Sequence, residues 1–138
     1  MTTIINAVSG SGLTQTADGS GIIKVQSNGV ATNALAWVNF NGTGTVAIRS
    51  SYNVSSITDN GTGDYTVNFT NALSDANYAV SANNSPNFAG AFSCGPALFS
   101  NGTPTETAPT TSAARVFFGN TAGSAYDPKY VCISVFGN

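Results

Sequence analysis

The sequence predicts a single all-β domain, an antiparallel β-sandwich or jelly-roll-like fold with about eight to ten strands and an N-terminal arm. Three observations predict it. Apolar residues alternate with polar ones over short runs, most strictly where Tyr65, Val67 and Phe69 interleave with Thr66, Asn68 and Thr70. The runs are separated by turn-forming residues, as in Asp59-Asn60-Gly61-Thr62-Gly63-Asp64. No segment of helical length keeps apolar residues at i, i+3, i+4 and i+7 without an intervening Gly, Asn or Ser. A chain of 138 residues holds one core and leaves no room for a second.

Taken in order, Thr3 to Val8 and Ile22 to Gln26 carry the first strand signals. Between them, Ser9 to Gly21 contains a single large apolar residue, Leu13. Residues 1–21 are therefore expected to form a Gly/Ser-rich arm ordered by neighbouring subunits, with Ile4, Ile5, Val8 and Leu13 as assembly contacts; residues 22–138 form the body. Leu35 to Phe40 and Val46 to Arg49 predict a hairpin closed by Asn41-Gly42-Thr43-Gly44-Thr45, with Trp37 and Phe40 on opposite pleats. A second hairpin joins the strand marked by Val54 and Ile57 to Tyr65–Phe69, and its Asn-Gly turn requires a positive φ at Gly61.

Tyr78 to Ala82, Ala97 to Phe99, Arg115 to Phe118 and Tyr130 to Phe136 are the remaining strands. In the last, Val131, Ile133 and Val135 oppose Cys132 and Phe136, which predicts a central strand buried on both sides. Ser100 to Ser112, rich in Thr and carrying Pro104 and Pro109, is expected to be an exposed loop. Its Asn101, Thr103, Thr105, Glu106 and Thr107 are the candidate recognition residues.

Composition narrows the chemistry. Charged residues are 7% of the chain, against roughly 25% in an average soluble domain. Solubility rests instead on 16 Asn, 16 Ser and 17 Thr. The net charge of −2 and the scatter of Lys24, Arg49, Arg115 and Lys129 argue against a nucleic-acid partner. The chain has no histidine, so Ser-His-Asp and Cys-His catalysis and His-ligated zinc are excluded. Cys94 and Cys132 alone do not make a zinc site and are expected to be buried free thiols. No catalytic residue, cofactor or metal-ligand set is assigned, and no secretory signal or membrane-inserting run is visible.

Several residues carry two readings. The carboxylates Asp18, Asp59, Asp64, Asp75, Glu106 and Asp127 offer a glycosidase-type acid and base, or hold their own turns, and the turn reading is favoured. Asp59 and Asp64 offer oxygens to Ca²⁺, but the spacing fits a hairpin loop better. Trp37 suits a sugar-stacking platform, against the favoured reading as core or subunit interface. Arg49 and Arg115, on predicted strands, either pair with specific acceptors or occupy solvated edge positions.

Over residues 36–80, the elements AWVNFNGTGT, NVSSITDNGTGDYTVNF and DANYAV, in that order, resemble a β-domain found in bacteriophage tail-fibre and related virion structural proteins, often near their C-termini. The terminal strand, Tyr130 to Phe136, is also similar to that family. The resemblance implies a non-enzymatic virion component, usually trimeric, made in the bacterial host cytoplasm and assembled on the particle. A chain that starts at Met1 and has no extended shaft is expected to be a small decoration, knob or fibre-type appendage that contacts itself as a homotrimer and other virion proteins. The alternative is a host-surface adhesin, with the Ser100 to Ser112 loop meeting polysaccharide.

Overall fold

Burial alternates residue by residue, and this sorts the strands into two layers. The computed structural model describes residues 25–27, 30–85, 97–98, 107–119 and 124–137. Its strands are β1 (Gln26–Ser27), β2 (Val30–Ala31), β3 (Ala36–Asn41), β4 (Ala47–Tyr52), β5 (Val54–Gly61), β6 (Asp64–Phe69), β7 (Ala79–Asn84), β8 (Ala97–Leu98), β9 (Ala113–Phe117) and β10 (Val131–Phe136). All pairings are antiparallel. One sheet has the order β4-β3-β10-β7 and the other β5-β6-β9-β8, with β1-β2 a separate ribbon. The predicted sandwich is the fold.

Ala36, Val38 and Phe40 of β3 and Val131, Ile133 and Val135 of β10 point inward from the first sheet. Tyr65, Val67 and Phe69 of β6 and Ala114 and Val116 of β9 meet them from the second. Phe40 and Tyr65 contact edge to face across the sandwich, with ring centroids 5.2 Å apart at 71°. Each fully buried apolar side chain contributes roughly 1.5–3 kcal/mol.

Both predicted hairpins are present, β3 with β4 and β5 with β6. The second closes more tightly than the sequence suggests, because pairing continues to Gly61 and Asp64 and only Thr62 and Gly63 remain in the turn. Gly61 has φ 133° and Gly63 φ 72°, so the turn needs two glycines, including the expected Gly61. Between β4 and β5 the chain passes from one sheet to the other at Asn53, which has φ 54°. The Asn53 amide holds this corner: Nδ2 donates to the carbonyls of Leu35 and Asn71, both at 3.2 Å, and Oδ1 accepts from the Asn71 N–H at 2.8 Å.

Three expectations need correction. β10 is central in its sheet but buried on one side only, since a two-layer sandwich offers each sheet a single interior face. Cys132 and Phe136 alternate outward, and Cys132 is an exposed free thiol rather than a buried one. Trp37 does not belong to the core; it lies on the opposite pleat from Phe40, as expected, and faces outward.

The predicted Thr3 to Val8 strand, the arm with Ile4, Ile5, Val8 and Leu13, and the loop residues Asn101, Thr103, Thr105 and Glu106 lie outside the described residues, as does Cys94. The described end of the Ser100 to Ser112 loop is tied to the body. The carbonyls of Thr111 and Ser112 accept from the Leu73 and Phe69 N–H groups, both at 2.8 Å, and Thr107 is half-buried.

Candidate functional site

Each sheet turns one face away from the core, and the two faces differ. On the second sheet the outward side chains satisfy one another. Asn68 Nδ2 donates to Ser56 Oγ (3.1 Å) and Thr58 Oγ1 (2.9 Å), and Asn60 Nδ2 donates to Thr66 Oγ1 (2.9 Å). This ladder engages the amide donors of Asn60 and Asn68 within the sheet.

The outward face of the first sheet carries aromatics. Trp37 is 37% exposed, Phe136 40% and Tyr130 49%. The pleat places Trp37 between Tyr52 of β4 and Ser134 of β10, and Ser134 pairs onward with Ser81 of β7. One row further along, Asn39, Cys132 and Asn83 stand abreast, and the Asn39 amide donates to Cys132 Sγ at 3.4 Å. Tyr130 continues the outward alternation of Cys132, Ser134 and Phe136 just before β10 begins.

Arg49 is brought to this face by a β-bulge. Asn39 pairs with Ser50 and Phe40 with Ile48, so Arg49 is the unpaired extra residue of β4 and its side chain is re-aimed across the sheet. The guanidinium donates to the Lys129 carbonyl at 2.7 Å, to Asn39 Oδ1 at 3.2 Å and to Asn41 Oδ1 at 3.5 Å. Its Cζ lies 4.4 Å from the Tyr130 ring centroid, and the Lys129 ammonium lies 5.9 Å from the same ring. Arg49 thus has specific acceptors within the chain, all of them neutral. Alternation alone reveals Tyr130; the bulge that delivers Arg49 leaves no mark in the composition of β4.

Arg115 pairs with a carboxylate instead. Its Nε and a terminal nitrogen donate to the two oxygens of Asp64 at 2.8 and 2.6 Å, and this bond raises the affinity of the guanidinium for its proton. Asp127 Oδ1 accepts from the Tyr65 hydroxyl and the Gly63 N–H, both at 2.7 Å. Burial, then the Asp127 carboxylate, push the Tyr65 phenol far above its ordinary value. Asp59 caps the Gly61 N–H at 3.0 Å and Asp75 caps the Asn77 N–H at 2.7 Å. Asp59 and Asp64 therefore serve different partners rather than one cation. Among the described residues no group of three or more His, Cys, Asp or Glu side chains is placed to hold a metal ion.

No protein-family model, no curated protein and no solved structure matches this chain.

Proposed function

We propose that the chain is a non-enzymatic structural protein of a bacteriophage particle, displayed as a small decoration, knob or fibre-type appendage and assembled as a homotrimer. The observation that carries this reading is where the resembling stretch falls. Residues 36–80 build β3, β4, β5, β6 and the start of β7, so the likeness to tail-fibre and related virion domains covers strands of both sheets rather than a single loop. The commitment of Asp59, Asp64, Asp75 and Asp127 to turns, a strand-spanning ion pair and a buried phenol supports a scaffold over an acid-base catalyst.

Assembly contacts in this reading come from the arm, residues 1–21, through Ile4, Ile5, Val8 and Leu13. Imaging intact particles tests it: density matching a trimer of this sandwich is expected on the particle surface. Deleting Thr2 to Gly21 is expected to abolish incorporation while leaving a folded body. Particles that lack the chain altogether would overturn the reading.

A second reading, a host-surface adhesin that recognises glycan, is favoured by the outward exposure of Trp37. Shortening the Ser100 to Ser112 loop and scoring adsorption to host cells tests whether that loop carries recognition.

A further inference from the structure

We infer that the outward face of the β4-β3-β10-β7 sheet binds an acidic polysaccharide, with Trp37 stacking on one sugar ring while Arg49 and Lys129, beside Tyr130, take a sugar carboxylate further along. The inference rests on the adhesin reading above and moves the site from the loop to the sheet.

Charge is the first argument. The chain is acidic overall, with six carboxylates against four basic residues. Two of those four, Arg49 and Lys129, stand within 6 Å of one ring, and neither forms an ion pair among the described residues. The third, Arg115, is neutralised by Asp64. The carboxylate closest in sequence to Lys129, Asp127, binds Tyr65 and Gly63 instead. The outward face therefore carries positive charge that no carboxylate among the described residues answers. Arg49 uses three of its five N–H donors, so two remain for an anion. Three hydrogen bonds and the Tyr130 ring already hold its plane, which lowers the entropy lost on binding.

The surroundings argue for a sugar. Between the cations and Trp37 lies the row of Asn39, Cys132 and Asn83, and the row of Trp37 itself adds the hydroxyls of Ser134 and Ser81. Tyr130, just before β10, and Ser134, the cross-strand partner of Trp37, are four residues apart in extended chain, which separates the two aromatic stations by about 13 Å. An oligosaccharide spans that distance and a monosaccharide does not.

The test uses the full chain and its single tryptophan, Trp37, whose emission reports on this face alone. Oligogalacturonate and oligosialate are the acidic probes, and a malto-oligosaccharide of equal length is the neutral one. Saturable quenching or shift of the Trp37 emission is expected with at least one acidic probe, weakening as ionic strength rises. The two acidic arms distinguish a uronic from a nonulosonic acid. Lys129→Gln and Arg49→Gln, checked for unchanged melting, are each expected to weaken binding about threefold or more. Trp37→Ala, followed by calorimetry, is expected to weaken it about tenfold with the oligomeric mass unchanged.

Equal binding of the neutral probe, unaffected by Lys129→Gln, would overturn the acidic ligand while leaving the adhesin reading standing. A fall in oligomeric mass on Trp37→Ala would assign the face to a second copy and overturn the inference. No response to either acidic probe would overturn it as well.

Discussion

The Tyr65 hydroxyl donates to Asp127 Oδ1 across 2.7 Å, joining a strand of the second sheet to a residue 62 positions away in the segment that leads into β10. The carbonyl of Gly42, in the β3–β4 loop, lies 3.0 Å from the same hydroxyl. One buried phenol thus ties three segments together at one end of the sandwich. Removing the hydroxyl leaves a carboxylate and a carbonyl without that donor, so Tyr65→Phe is expected to destabilise the fold by about 1–2 kcal/mol. Asp127→Ala also removes the acceptor of the Gly63 N–H and is expected to cost about 2–3 kcal/mol. Urea unfolding of the single and double variants should give effects that do not add, because both changes break the same bond.

Alkaline pH acts on the same chemistry. Burial raises the Tyr78 phenol from 10.0 to about 12, and its hydroxyl lies 2.8 Å from the Ala113 carbonyl and 3.1 Å from that of Thr110. Between those two values the unfolded chain releases a proton that the folded chain keeps. The contribution is complete below pH 10 and declines as pH rises through about 12. Tyr65 shifts in the same direction. Melting temperature is expected to fall across this window, and more gently in Tyr78→Phe. An equal slope in the variant would assign the loss to other groups.

Asn53 turns the chain from one sheet into the other, and its role comes from φ and amide together. Asn53→Gly keeps access to φ 54° and loses the three amide hydrogen bonds; Asn53→Ala loses both. Asn53→Ala is expected to cost about 3 kcal/mol and Asn53→Gly about 1 kcal/mol less, read from chemical denaturation. Equal costs would show that the backbone conformation contributes nothing.

The sequence displays the parts of this fold that depend on neighbours along the chain. Alternation in Tyr65–Phe69 announces that strand and its inward face, and Asn60-Gly61 announces the hairpin, whereas Leu35 to Phe40 announces a strand but not its buried side, because Trp37 is as apolar as its inward neighbours. It does not display what depends on distant partners. Nothing distinguishes Asn53 from the other 15 asparagines until Leu35 and Asn71 are brought to it. Cys132 and Phe136 look like a second buried face because alternation records polarity, not the number of layers. The Arg49, Tyr130 and Lys129 cluster is hidden for the same reason, since it depends on the β10–β3–β4 register and a bulge.

Gly63 tests the hairpin more sharply than Gly61. At Gly61 a Cβ would meet open space, so a substitution suffers only from φ 133°. At Gly63 a Cβ would overlap the Phe118 carbonyl oxygen and approach the Tyr126 carbonyl at 2.9 Å, in addition to the strain of φ 72°. Gly61→Val is expected to cost about 1 kcal/mol or more, and Gly63→Ala more than Gly61→Ala. A Gly63→Ala variant that melts with the wild type would show that β6 does not close against Phe118.

The Asp64–Arg115 pair links β6 to β9 through two parallel hydrogen bonds, with the Asp64 side chain 10% exposed and that of Arg115 27% exposed. Breaking a fully buried pair costs about 3–5 kcal/mol, and the partial exposure of Arg115 lowers the expected figure here. Arg115→Gln leaves the carboxylate with only Asn60 Nδ2, at 3.3 Å, and is expected to cost about 2 kcal/mol. Arg115→Lys keeps the charge but loses the planar fork, so about half that cost is expected. Adding Asp64→Asn to Arg115→Gln removes the isolated charge and should restore part of the stability, because most of the penalty lies in the unpaired carboxylate rather than in the lost attraction. If the double variant were less stable than Arg115→Gln alone, the pair would be a net source of stability and the desolvation argument would fail at this site.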